Sequence, residues 1–218
     1  MKARILMVVS VMFLSVVSCE MVFTTSPLAF LQRDPSRLSE AQQVAFGRNA
    51  LAAGDREKMA IAFNLLKESA DPEIRLLASD LALAASGLDA AVMTALPEII
   101  AAGSDQAALQ AALDEVLMEF SVEDLAMMAA AAELIVGAED MVTPTAEQYV
   151  FAAVGLAAVA ADRNDGVSGL EGLAPADPGY AEVEQAKAFL QSAADGLRQE
   201  GQSTEMLEAI GEAIGWAL

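Results

Sequence analysis

The sequence predicts an all-α protein, and three observations support that fold class. Alanine, leucine, glutamate and methionine dominate the chain, whereas aromatic residues make up only 5%. Clusters of β-branched residues are few beyond the first 18 residues. Apolar residues recur at helical spacing between capping and turn residues. We expect about eight to nine helices, arranged either as successive helical hairpins in a solenoid or as an irregular helical bundle.

The first 18 residues predict a cleaved export signal. A short basic start containing Lys2 and Arg4 precedes an apolar run over residues 5–17, which is interrupted only by Ser10 and Ser15. This run has the length of a signal-peptide core and is shorter than the roughly 18–20 residues that cross a bilayer. The segment therefore predicts export rather than a membrane span.

Cys19, the one cysteine of the 218 residues, follows this run directly. Together with Val16, Val17 and Ser18 it resembles the lipobox of bacterial lipoproteins. The resemblance implies cleavage before Cys19, a diacylglycerol on its sulfur and acylation of its new amino terminus, so that the lipid holds the protein at a membrane. By analogy with sorting in enteric bacteria, Glu20 favours the outer membrane, facing the periplasm, over the inner one. The alternative is an ordinary secretory signal with an incidental cysteine.

Residues 19–37 carry no helical period and predict a tether between the lipid and a single α-helical repeat domain at residues 38–218. In that domain, the first helix is expected to begin after the N-cap Ser39 and to end at Gly54. The second begins at Asp55 and stops before Pro72, because the residue before a proline avoids helical angles.

This first pair of helices has the spacing of a known repeat. Gly47 would let two helices approach closely, Phe63 would fill the gap between them, and Phe46 and Leu66 fall at apolar positions of the same pattern. Over residues 40–71 the pair resembles a tetratricopeptide repeat. Gln43 departs from that family, which prefers tryptophan there.

The remaining pattern predicts three further pairs of helices. The second pair should turn at Ser86 and Gly87, and the third should begin at the N-caps Ser104 and Ser121. A buried helix follows, with Thr143 as its cap and Pro144 at its first position. After a loop over residues 163–178, helices are expected over residues 179–197 and 203–218.

The residue inventory argues against an enzyme. The chain contains no histidine, which removes the commonest general base and metal ligand. With the cysteine assigned to lipid, no thiol nucleophile or zinc site remains. Residues 162–171 resemble a calcium loop, but the glycine and the glutamate come too early for an EF-hand, so we favour a helix-to-loop turn. We predict no catalytic residue, no metal site and no cofactor.

The charge is strongly negative and unevenly placed. The formal net charge is −20, and residues 76–162 contain fourteen acidic residues but no lysine or arginine. Such a chain will not bind nucleic acid by electrostatics. The acidic region is either a solvated surface or a face for a basic partner.

Two functions fit these observations. The first is a lipid-anchored adaptor that binds another envelope protein. The resemblance to anchored tetratricopeptide lipoproteins implies such a role, because that group includes pilotins, outer-membrane assembly subunits and the T component of TRAP-type transport systems. The second is a carrier of a small apolar ligand in an enclosed cavity near Met127, Phe151 and Leu156. Trp216 is expected either to anchor a partner or to close the last helix over the core.

Overall fold

The computed structural model describes residues 34–102, 106–117, 120–164, 166–204, 207–208, 211 and 216. Contacts divide the chain into Met1–Leu38 and Ser39–Leu218, and the fold below is that of the second unit. Cys19, the predicted signal, the N-cap Ser104 and most of the last predicted helix lie outside the described residues.

The described part of the second unit is built from eight α-helices and contains no strand, so the all-α prediction is confirmed. A short 3₁₀ turn at Val167–Leu170 precedes the last helix. The helices are α1 (Glu40–Ala53), α2 (Arg56–Leu66), α3 (Pro72–Ser86), α4 (Leu88–Ala102), α5 (Gln106–Leu117), α6 (Val122–Ala138), α7 (Ala146–Asp162) and α8 (Tyr180–Gln199).

The hairpin of α1 and α2 begins and turns where its capping residues predict. The backbone N–H of Ser39 donates to Gln42 Oε1 at 3.2 Å, and Gly54 ends α1 in the left-handed conformation, with φ 65°. Asp55 caps α2 by accepting a hydrogen bond from the backbone N–H of Lys58. These local signals are sufficient because each one satisfies a helix-terminal donor or acceptor within a few residues.

Gly47 of α1 is buried, and its missing side chain matters to two neighbouring helices. A Cβ atom at this position would lie 3.0 Å from Leu81 Cδ1 of α3 and 3.4 Å from Ala62 Cβ of α2. The prediction that Gly47 serves a close approach of helices therefore fits, with α3 making the tightest approach.

The predicted second and third hairpins are wrong. Helix α3 packs against α2 and α6, whereas α4 packs mainly against α5. A single left-handed glycine, Gly87 with φ 80°, joins α3 to α4. It bends the segments Pro72–Ser86 and Leu88–Ala95 by 56°, too little to reverse the chain. The pair α4–α5 is therefore an insertion in the chain between α3 and α6, which pack on each other.

Arg56, at the start of α2, joins the two ends of this insertion, namely the end of α3 and the start of α6. Its Nε donates to the carbonyl of Ala85 at 2.8 Å, and one terminal nitrogen donates to the carbonyl of Ser86 at 2.7 Å. The same nitrogen donates to Asp124 Oδ1, in the first turn of α6, at 3.1 Å. Because the last carbonyls of a helix lack partners within it, a guanidinium is well placed at the end of α3.

Helix α7 begins two residues later than predicted, with Thr145 rather than Thr143 as its N-cap. The backbone N–H of Thr145 donates to Gln148 Oε1 at 3.0 Å, and the N–H of Gln148 donates to Thr145 Oγ1 at 3.2 Å. This capping box satisfies two donors at once, which Thr143 cannot do because Ala146 stands three residues after it. The prediction that the helix is surrounded by others is confirmed, since α6 and α8 pack on it.

The apolar side chains form two adjoining clusters. The first joins α1, α2, α3 and α6 with single residues or short stretches of α4 and α7, and it includes Phe63 and Leu66. The second joins α6, α7 and α8 and includes Leu156, Phe189 and Trp216. Both clusters contain residues of α6 and α7, so these two helices run through the centre of the domain.

Candidate binding groove

A groove of about 420 Å³ lies where α7 begins, between α3 and the first turn of α4. On α3 it is lined by residues three and four positions apart, which share one face of the helix. On α7 the lining residues belong to the first two turns. The lining residues are Asp80, Leu83, Ala84, Asp89, Thr145, Glu147, Gln148 and Phe151.

The groove combines an apolar floor with acidic walls. Leu83 is buried, and Ala84 and Phe151 are half-buried, so they present apolar surface to the space between the helices. Asp80, Asp89 and Glu147 line the same space, one from each of the three helices. None of the ion pairs in the described part of the chain includes any of these three carboxylates.

Asp80 is held by the side chain that also caps α7. Nε2 of Gln148 donates to Oδ1 of Asp80 at 2.9 Å and to Oδ2 at 3.1 Å. Because Oε1 of Gln148 accepts from the backbone N–H of Thr145, the orientation of the amide is fixed. The helix cap and the groove carboxylate therefore form one hydrogen-bonded unit.

The pKa of Asp80 lies above the ordinary value of 3.8. Burial is the main cause, because it disfavours the charged carboxylate, and the nearby negative charge of Glu147 adds to the rise. The hydrogen bond from Gln148 acts in the opposite direction. An ionised Asp80 is thus stabilised by any cation that enters the groove.

The structure brings one of the four predicted contact residues to this groove, namely Phe151. Met127 is half-buried on α6 and packs against the first cluster. Leu156 is 5% exposed and Trp216 is 4% exposed, both in the second cluster. Met127 and Phe151 therefore pack against the first cluster, and Leu156 belongs to the second.

Trp216 lines a different, entirely apolar cleft of about 50 Å³ together with residues of α5, α7 and α8. This volume is well below the roughly 300–1,000 Å³ of sites that enclose drug-sized ligands. Nζ of Lys187 lies 5.8 Å from the centroid of the indole ring, a distance at which a cation and an aromatic face attract. In the described part of the chain, Trp216 is a core residue.

The segment considered as a calcium loop is tied to the protein itself. Nδ2 of Asn164 donates to the carbonyls of Ala160 and Pro178, each at 2.8 Å. The backbone N–H of Val167 donates to Oδ1 of Asp114 on α5 at 2.6 Å. No group of three or more potential ligand residues in the described part is arranged to hold a metal ion.

The groove was not predicted from the sequence, although one signal indicated its charge. Asp80, Asp89 and Glu147 all fall within residues 76–162, the region without lysine or arginine. That region predicted a face for a basic partner as one of two alternatives, but it did not indicate which of its acidic residues meet in space.

No family model, curated protein or solved structure matches this chain. Among the described helices, none alone is both long enough and apolar enough to cross a membrane, and only the bent pair Pro72–Ser86 and Leu88–Ala95 reaches that length and composition together.

Proposed function

We propose that the protein is a lipid-anchored adaptor of the bacterial envelope, which binds a basic segment of another envelope protein in the groove between α3, α4 and α7. One observation carries this proposal. The groove places Phe151 beside Asp80, Asp89 and Glu147, and its lining contains no lysine or arginine.

The electrostatics of the groove favour a cationic occupant. Asp80 is ionised at a cost, because it is partly removed from water and lies near Glu147. A positive charge between the helices would offset that cost and the repulsion between the carboxylates. The positive side chains of the described ion pairs are Arg56, Lys58, Arg163, Lys187 and Arg198, and none of them lines the groove.

The shape of the groove favours a side chain with an apolar stem. Leu83, Ala84 and Phe151 offer apolar surface, and long basic side chains bury their methylene groups against such surface while the charged end stays polar. The volume of about 420 Å³ lies within the range of sites that hold compact ligands. A short extended segment with one basic side chain inserted fits both properties.

The proposed location follows from Cys19. Acyl chains on that residue would hold the protein at the outer membrane, facing the periplasm, where envelope proteins are its accessible partners. The proposal assigns the protein neither a catalytic role nor a cofactor, since the chain lacks histidine and its one cysteine is the proposed lipid site. Carriage of an apolar ligand stays a prediction, and the small cleft beside Trp216 does not favour it.

The test is a crosslinking pull-down from intact cells with the acylated, C-terminally tagged protein. A groove variant, Asp80→Asn, Asp89→Asn and Glu147→Gln together, is compared with a control of the same composition and charge change. The control neutralises three exposed carboxylates that do not line the groove, by Asp140→Asn, Asp162→Asn and Glu133→Gln.

We expect the native protein and the control to capture the same envelope partner and the groove variant to lose it. Capture should also weaken as salt is added, since the groove acts through charge. Equal capture by the groove variant would show that partner binding does not use the groove and would refute the proposal.

A further inference from the structure

The geometry at Asp80 bears on which basic side chain the groove accepts, an inference that rests on the proposed function. Nε2 of Gln148 lies at nearly equal distances, 2.9 and 3.1 Å, from the two oxygens of the carboxylate. With the distances so similar and both oxygens accepting, the nitrogen lies near the plane that passes midway between the two oxygens, on the side where both can accept. That is the side on which a second donor group would bridge both oxygens.

An arginine guanidinium that binds both oxygens needs that same side of Asp80. A guanidinium binds a carboxylate most strongly through two parallel N–H···O bonds, one to each oxygen. Gln148 occupies this position and cannot swing away freely, because its Oε1 accepts from the backbone N–H of Thr145 at 3.0 Å. Only the outer lone pairs of Asp80 remain for a ligand.

A lysine ammonium can still bind Asp80 when Gln148 occupies the bridging side. It is a compact charge whose donors can be rotated to single acceptors, so the outer lone pair of one oxygen is sufficient. The apolar surface of Leu83 and Phe151 then faces the four methylene groups of the lysine. Glu147 lies close enough to Asp80 to raise the pKa of its carboxyl group.

We propose that the groove selects a lysine side chain of the partner over an arginine, and that Gln148 is the residue that sets this preference by blocking the bridging side of Asp80. The occupant is therefore a lysine-bearing segment in which arginine is a poor substitute. Gln148 acts as a positioning residue, since it orients Asp80.

The experiment compares three pools of N-acetylated hexapeptide amides by equilibrium dialysis against the acylated protein in neutral detergent at low salt. The pools share their randomised positions and differ in one fixed residue, which is lysine, arginine or norleucine. We expect the lysine pool to be retained about fivefold more strongly than the arginine pool, the size of effect that one partly exposed ion pair produces. The norleucine pool should show background retention.

The variant Gln148→Leu opens the bridging side of Asp80 and should abolish or reverse the preference for lysine. Its matched control is Gln42→Leu, because Gln42 is the corresponding capping glutamine of α1 and accepts from Ser39 as Gln148 accepts from Thr145. The control should lose similar stability and keep the preference. Circular dichroism checks that both variants fold. If Gln148→Leu does not fold, the three pools measured with the native protein decide the preference.

The outcomes separate the two proposals. Equal retention of the lysine and arginine pools, or stronger retention of arginine, would overturn the lysine preference and leave the basic-partner function standing. No retention of either pool above norleucine would overturn both. A lysine preference that persists in a folded Gln148→Leu protein would overturn the role of Gln148.

Discussion

Nε2 of Gln148 on α7 donates hydrogen bonds to both carboxylate oxygens of Asp80 on α3, at 2.9 and 3.1 Å. The two residues are 68 positions apart in the chain, and the same amide side chain completes the capping box of α7. A half-buried acid is thereby built into the junction of two helices, in a groove whose lining contains no basic residue. Such an arrangement costs stability, and this cost leads to the first prediction.

Replacing Asp80 by asparagine should stabilise the protein at neutral pH. The folded-state pKa of Asp80 is raised above 3.8, so the ionised form destabilises the folded state at pH values above the raised pKa. Asparagine removes the charge and keeps an oxygen that accepts from Gln148. We expect thermal unfolding at pH 7 to give a higher Tm; in a chain of this size, about 1 kcal/mol corresponds to roughly 2–4 °C.

This gain should disappear as the pH is lowered. Asp80 takes up its proton as pH falls through the raised folded-state pKa, and its contribution to the pH dependence is complete below the ordinary value of 3.8. The control Asp140→Asn makes the same charge change at an exposed position. A Tm difference for Asp80→Asn that stays constant from pH 7 to below 3.8 would contradict the raised pKa.

Replacing Arg56 by methionine should destabilise the domain. The change removes hydrogen bonds to the carbonyls of Ala85 and Ser86 and to the carboxylate of Asp124. Since the side chain is 57% exposed, we expect a loss of about 1–2 kcal/mol in the free energy of unfolding, measured with urea. Lys58→Met is the matched control, because it removes one exposed ion pair within α2. Equal effects of the two changes would show that Arg56 does not join α3 to α6.

Replacing Gly47 by leucine should force α1 away from its neighbours. The first added carbon alone would lie 3.0 Å from Leu81 Cδ1, so the larger side chain has no room between α1, α2 and α3. We expect the free energy of unfolding to fall by roughly 2–3 kcal/mol, as in other overpacked cores. The control is Ala52→Leu, at an exposed position of the same helix, which should change it by less than about 0.5 kcal/mol. An unchanged Tm for Gly47→Leu would mean that the close packing of this first pair is wrong.

Replacing Cys19 by serine should release the protein from the membrane fraction, because serine offers no thiol for the diacylglycerol. We expect the native protein to incorporate an alkyne-labelled fatty acid and its intact mass to correspond to a lipidated chain that begins at Cys19. The control Ser18→Ala keeps a small residue before the cysteine and should stay lipidated. An unmodified Cys19 in the native mass spectrum would favour the ordinary secretory signal.

Several helix boundaries were predictable from the sequence because their causes are local, whereas α2 ends at Leu66, earlier than the predicted stop just before Pro72. Ser39, Gly54 and Asp55 each satisfy backbone groups within a few residues, and Ser121 caps α6 by accepting from the N–H of Asp124. The start of α7 was misplaced because two threonines compete there. A glutamine three residues after Thr145 decides between them, and that signal is also present in the sequence.

The pairing of the helices could not be predicted in the same way. Helix α3 packs on α6 rather than α4, and Arg56 supports that contact through partners 29, 30 and 68 positions away. Local patterns contain no information on which distant residues meet. For the same reason the sequence indicated an acidic region but not the groove, since Asp80 and Gln148 meet only after α3 and α7 have packed.

The insertion formed by α4 and α5 begins and ends at nearly the same place in the domain. The carbonyl of Ser86, just before it, and the carboxylate of Asp124, just after it, both lie within 3.1 Å of a single nitrogen of Arg56. A short linker could therefore close the gap if the pair were removed, while α3 and α6 kept their packing. Because its first turn contributes Asp89 to the groove, a change in the pair α4–α5 would alter the charge that lines the groove.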